Sequence, residues 1–132
     1  MARTLAYLMG IFAAIDGLCH LALVILVTHG VFTRPPISVL FALNFVGYVV
    51  LIAALIISQG SSLGFRRLLD AVLIVYPIAT FAAWIVFTRG RGNPLGLAEI
   101  AKPAEVLLAL AAIGHLVQLG HEEEPGVVSA RG

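Results

Sequence analysis

Four apolar stretches, at about residues 4–28, 37–58, 65–88 and 95–119, are separated by connectors of only a few polar residues. Each is close to the roughly 20 residues that a bilayer-spanning helix requires. His29 and Gly30 close the first stretch, and Pro35-Pro36 forbid its continuation while offering a start for the next helix. Gln59-Gly60-Ser61-Ser62 is a polar turn. The third stretch opens on Arg66, Arg67 and Asp70 and carries Pro77 near its middle, where a missing backbone hydrogen bond kinks a helix. Connectors this short favour antiparallel neighbours, so the expected fold is all-α: a transmembrane antiparallel four-helix bundle over residues 1–120. A polar, acidic C-terminal tail, 121–132, follows it.

Composition agrees. The chain has 132 residues, 61% hydrophobic and 11% charged, and a mean hydropathy of +1.05, outside the range of a soluble domain. With a net charge of +1 and scattered basic residues, it lacks the footprint of a nucleic-acid-binding protein. The single cysteine, Cys19, excludes an internal disulfide and a C-x-x-C pair, and with them a quinone-linked thiol oxidoreductase. Met1-Ala2-Arg3 before an apolar run has the beginning of a signal peptide. The run is too long and Asp16 interrupts it, so a retained helix is expected. Arg3, Arg66, Arg67 and Arg131 on one side outnumber Arg34, Arg89 and Arg91 on the other, leaning the termini toward the cytoplasm of a prokaryotic cell membrane.

The fourth stretch is the least regular, with Glu99, Lys102, Pro103 and Glu105 in its first half. Either residues 95–101 form an interfacial turn and Pro103 begins the true span, or one kinked helix carries all three charges into the membrane. Ionisable groups within a span cost about 2.5–3.5 kcal/mol each on insertion scales, so they face a bundle interior. Depth can be counted from each helix midpoint at roughly 1.5 Å per residue. Asp16, His20, Asn44, Lys102 and Glu105 then fall in one half of the membrane. Asp16 and His20 are i,i+4 neighbours on a stripe with Met9, Phe12, Leu23 and Val27. Asn44, Tyr48, Leu51, Leu55 and Ser58 share a face of the second helix; Tyr76, Thr80, Ala83 and Phe87 share one of the third.

The five polar residues are therefore expected to form either a register-fixing network, with Asp16 paired to Lys102, or a titratable, ligand-binding pocket. Tyr48, Tyr76 and Thr80 would line it. No residue is assigned to catalysis or to a metal. His115 falls near the opposite end of its helix, roughly 18 Å from His20 in depth, which argues against a bis-His haem on that pair.

Gly17-Leu18-Cys19-His20-Leu21, the run from Leu40 through Asn44 to Tyr48, and Lys102 with Glu105 resemble a group of small, uncharacterised four-helix integral membrane proteins of bacteria and archaea. That resemblance spans most of the chain and implies the fold without a function. In architecture the chain is also similar to the small multidrug resistance transporters, which place one acid in the first helix about where Asp16 lies. It departs from them in having an aspartate there, no glycine between Leu68 and Phe87, and the Lys102 and Glu105 pair.

The leading expectation is a non-enzymatic accessory or assembly subunit that packs in the lipid bilayer against other transmembrane subunits or against itself. The alternative is a proton-coupled small-molecule transporter or binding protein, with Asp16 as the coupling carboxylate tuned by His20. Third comes a membrane-embedded enzyme on a lipid-like substrate, using Glu105 or His20 and requiring a cavity that reaches Glu105 from the bilayer.

Overall fold

The computed structural model describes residues 2–28, 35–88 and 96–121. The connectors 29–34 and 89–95, the acidic tail from 122, and the side chains of residues 27, 28, 35–38, 87 and 88, Val27 and Phe87 among them, lie outside the described residues. Four helices account for nearly all the rest: α1 (Ala2–Thr28), α2 (Pro35–Ser58), α3 (Leu63–Thr88) and α4 (Leu97–His121). All four are long and apolar enough to cross a membrane.

Local chemistry sets the helix ends. Pro35 and Pro36 occupy the first turn of α2, where a missing N–H costs nothing. At its other end the Ser58 hydroxyl and the Gln59 amide both donate to the Leu55 carbonyl, at 2.8 and 3.3 Å, satisfying an acceptor the ending helix leaves open. Ser62 then caps α3, its Oγ accepting from Phe65 N at 3.4 Å. Gly96 precedes α4 at φ +66°, a left-handed turn suited to glycine. From there α4 runs without interruption through Pro103, so the charged stretch belongs to one helix and not to an interfacial turn. Likewise α3 continues past Pro77, which is fully buried.

Burial is unequal. The apolar windows of α1 and α4 are 39% and 44% buried, against 17% and 22% for α2 and α3. α1 packs on both α2 and α4, and α3 packs on α4, while α2 and α3 meet more sparingly and the diagonal pairs α1–α3 and α2–α4 least of all. The core joins Met9 and Ala13 of α1, Tyr48, Leu51 and Leu55 of α2, Leu69 and Leu73 of α3, and Leu108, Ala111 and Ala112 of α4. Small residues permit this central pairing. α4 buries Ala98, Ala101, Ala104, Ala109, Ala111 and Ala112, so backbones can approach without a hydrophobic drive between helices in lipid.

Candidate functional site

Each helix contributes to one polar cluster above this core. A hydrogen-bonded chain enters from α3. The Tyr76 hydroxyl donates to Asn44 Oδ1 at 2.9 Å, the Asn44 amide donates to His20 Nε2 at 3.0 Å, and His20 Nδ1–H donates to the Asp16 carbonyl at 3.0 Å. Directionality assigns the tautomer: an Nε2 that accepts from an amide leaves the proton on Nδ1. That nitrogen also lies 3.6 Å from Asp16 Oδ1. The ring is held between Tyr48, stacked at 6.1 Å, and Phe41 at 6.0 Å, and Tyr48 meets Tyr76 edge-on at 5.1 Å.

Two glycines make room. A Cβ on Gly47 would sit 2.7 Å from Tyr76 Cζ, and one on Gly17 would sit 3.2 Å from Tyr48 Cβ. Tyr76 therefore reaches the cluster only because position 47 carries no side chain, and Tyr48 packs closely over Gly17.

The second arm comes from α4. Lys102 Nζ donates to Glu105 Oε1 at 2.6 Å, which corrects the expected pairing of Lys102 with Asp16. Residues three apart on a helix are surface neighbours, and this local pair wins over the cross-helix one. Thr80 Oγ lies within reach of two acceptors for its one proton, Glu105 Oε1 at 2.8 Å and the Pro77 carbonyl at 2.9 Å. The Lys102 ammonium also faces the Phe81 and Trp84 rings, 5.8 Å from each centroid. Beside it runs a groove of about 450 Å³ lined by Phe81, Lys102, Pro103, Val106 and Leu107, which meets Lys102 but not Glu105. Glu99 is exposed.

Between the arms, among the described residues, Asp16 Oδ1 and Oδ2, Tyr48 Oη and Glu105 Oε2 are buried without a partner in good hydrogen-bond geometry. The Tyr48 hydroxyl stands near enough to Asp16 and Thr80 to make looser contacts with both. Asp16 and Tyr48 are wholly inaccessible and Glu105 is 1% exposed. Such groups are expensive, about 1–3 kcal/mol each and more when charged, so their concentration in one place asks for a positive or hydrogen-bonding occupant. One donor atom from each of Asp16, His20 and Glu105 lies within 4.8 Å of the other two.

All eight residues singled out by depth and phase, Asp16, His20, Asn44, Tyr48, Tyr76, Thr80, Lys102 and Glu105, stand in this one region. His115 stands elsewhere: its Nδ1 and Asp70 Oδ2 share a 2.8 Å hydrogen bond between buried side chains of α4 and α3. Sequence reasoning placed Asp70 only as part of a helix opening. Counting its depth as for the others would have set it level with His115, since both lie toward the α2–α3 turn. Nearby, the Arg67 guanidinium donates to the Leu119 carbonyl at 3.3 Å, tying α3 to the last turn of α4.

No protein-family model, curated protein or solved structure matches the chain.

Proposed function

We propose that this membrane protein binds, and in its transport form carries, a small cationic or hydrogen-bonding ligand at the cluster of Asp16, His20 and Glu105, with a proton as the coupling ion. The observation that carries the proposal is the gathering of buried carboxylate oxygens without a partner in good hydrogen-bond geometry, on Asp16 of α1 and Glu105 of α4, whose carboxylates come within 4.8 Å of one another and of a His20 ring nitrogen. A network serving only to fix helix register would gain by satisfying those atoms, since a half-satisfied buried network is worse than an apolar core. Asp16 holds the ligand, Glu105 is oriented by Lys102 and Thr80, and the chain Tyr76–Asn44–His20 sets the imidazole.

The test compares native contents. Wild type and Asp16→Asn are purified gently from membranes, and acid-released ions and small molecules are identified by elemental analysis and mass spectrometry. A species present in stoichiometric amount with wild type and missing from a folded Asp16→Asn supports the proposal. Equal contents refute it.

A second reading, an accessory subunit of a larger assembly, draws support from the low burial of α2 and α3, whose outer faces carry Leu43, Val46, Val50, Val75 and Ile78. A lone monodisperse species in mild detergent would count against it. On both readings the slight excess of basic residues on the side of the termini leans them toward the cytoplasm, so a fluorescent protein fused after Gly132 should fluoresce.

A further inference from the structure

We infer that Asp16, His20 and Glu105 form a binding site for a divalent first-row transition-metal ion. This inference rests on the ligand-binding proposal above and names the class of its ligand. Three observations lead there. The donor set is one imidazole and two carboxylates, contributed by α1 and α4 and converging within 4.8 Å. Three ligands about 2.0–2.2 Å from one shared ion lie about 3.3–3.8 Å from one another, so closure draws the donor atoms together by about 1 Å, within the reach of side-chain rotation. All three residues are at most 4% exposed, and Asp16 Oδ1, Asp16 Oδ2 and Glu105 Oε2 lack a partner in good hydrogen-bond geometry. The nitrogen donor separates this site from those of magnesium and calcium, which are built from oxygen, and suits zinc, manganese or iron(II).

The surroundings supply the outer shell that such sites require. Lys102 and Thr80 hold Glu105 by Oε1, leaving Oε2 for the ion. The Tyr48 hydroxyl, fully buried, stands beside Asp16 and Thr80 at the edge of the site. His20 presents Nδ1 toward Asp16 and Nε2 toward Asn44. An ion on Nδ1 displaces its proton and replaces its hydrogen bond to the Asp16 carbonyl, the ring turning from that carbonyl toward the carboxylates, so the ring then carries hydrogen on Nε2. Asn44 accommodates this by turning its amide, accepting from Nε2–H through Oδ1 and donating to the Tyr76 oxygen. Metal binding thus reverses every hydrogen bond in the Tyr76–Asn44–His20 chain, which gives the site a signature independent of activity.

The probe is Zn2+ alone, added to chelator-stripped full-length protein in lipid nanodiscs and carrying 15N-labelled histidine, with signals assigned by replacing each other histidine in turn. The expected result is one bound equivalent, with His20 passing from the Nδ1–H form to a ring bound through Nδ1 and protonated at Nε2. Asp16→Asn should weaken binding at least tenfold, and Asp70→Asn, at the other polar pair, should leave it unchanged. Absence of Zn2+ binding, or binding with His20 unaltered, overturns the inference. Should Asp16→Asn not fold, the His20 signal of wild type decides alone. An organic ligand found in the native-content experiment, together with no Zn2+ binding, sinks the metal site and leaves the broader proposal standing; no native ligand of any kind removes that proposal itself.

Discussion

Asn44 is the residue on which the cluster turns, because its amide has one face toward Tyr76 and the other toward His20. Depth counting could place it there, since one turn of helix is a coarse unit and the polar residues share a half of the membrane. The identity of each partner was less legible. Lys102 bonds Glu105 on its own helix, a pairing that the i,i+3 spacing already contained but that a search for cross-helix links overlooks. Breaking this pair from one side leaves a buried carboxylate alone, so Lys102→Met should destabilise the protein by about 3 kcal/mol. Lys102→Met with Glu105→Gln should recover most of that loss in a double-mutant cycle followed by detergent unfolding. Gly47 was invisible to any pattern of polarity, and its role follows from the 2.7 Å a Cβ would leave to Tyr76 Cζ. Gly47→Ala should cost about 1–3 kcal/mol through overpacking and detach Tyr76 from Asn44, read as a changed His20 nitrogen signal.

At the scale of the helices, existence and order were readable from length and apolarity. The ends shifted by about two residues: α1 begins at Ala2, α3 at Leu63, α4 at Leu97. Which helices would lie at the centre was not readable, because all four are similarly apolar and lipid removes the contrast that marks a core face in water. Small residues decide it, α4 being the alanine-rich helix that fits between α1 and α3. Enlarging a seam residue should therefore matter more than trimming a lipid-facing one. Ala112→Leu, at a fully buried position, is expected to cost about 1–3 kcal/mol. Leu110→Ala, where the side chain is exposed, should stay within about 0.5 kcal/mol. Unfolding of both variants in the same detergent mixture checks the ordering.

For the whole molecule, the two buried polar groupings lie toward opposite ends of the bundle, Asp70 with His115 near the α2–α3 turn and the Asp16 cluster toward the other end. The first is a closed pair with its hydrogen bond made. The second is open, with carboxylate oxygens lacking a partner in good hydrogen-bond geometry. On the ligand-binding proposal that asymmetry separates structure from function, because a group retained for a ligand is tolerated at a loss of stability. The most direct measurement is the unfolding free energy of stripped wild type against stripped Asp16→Asn in nanodiscs. If Asp16 is kept for a ligand, removing its charge relieves an uncompensated buried acid, and the variant will be at least as stable as wild type. A loss of more than about 1 kcal/mol in the variant would instead make Asp16 a register-fixing residue and contradict the account.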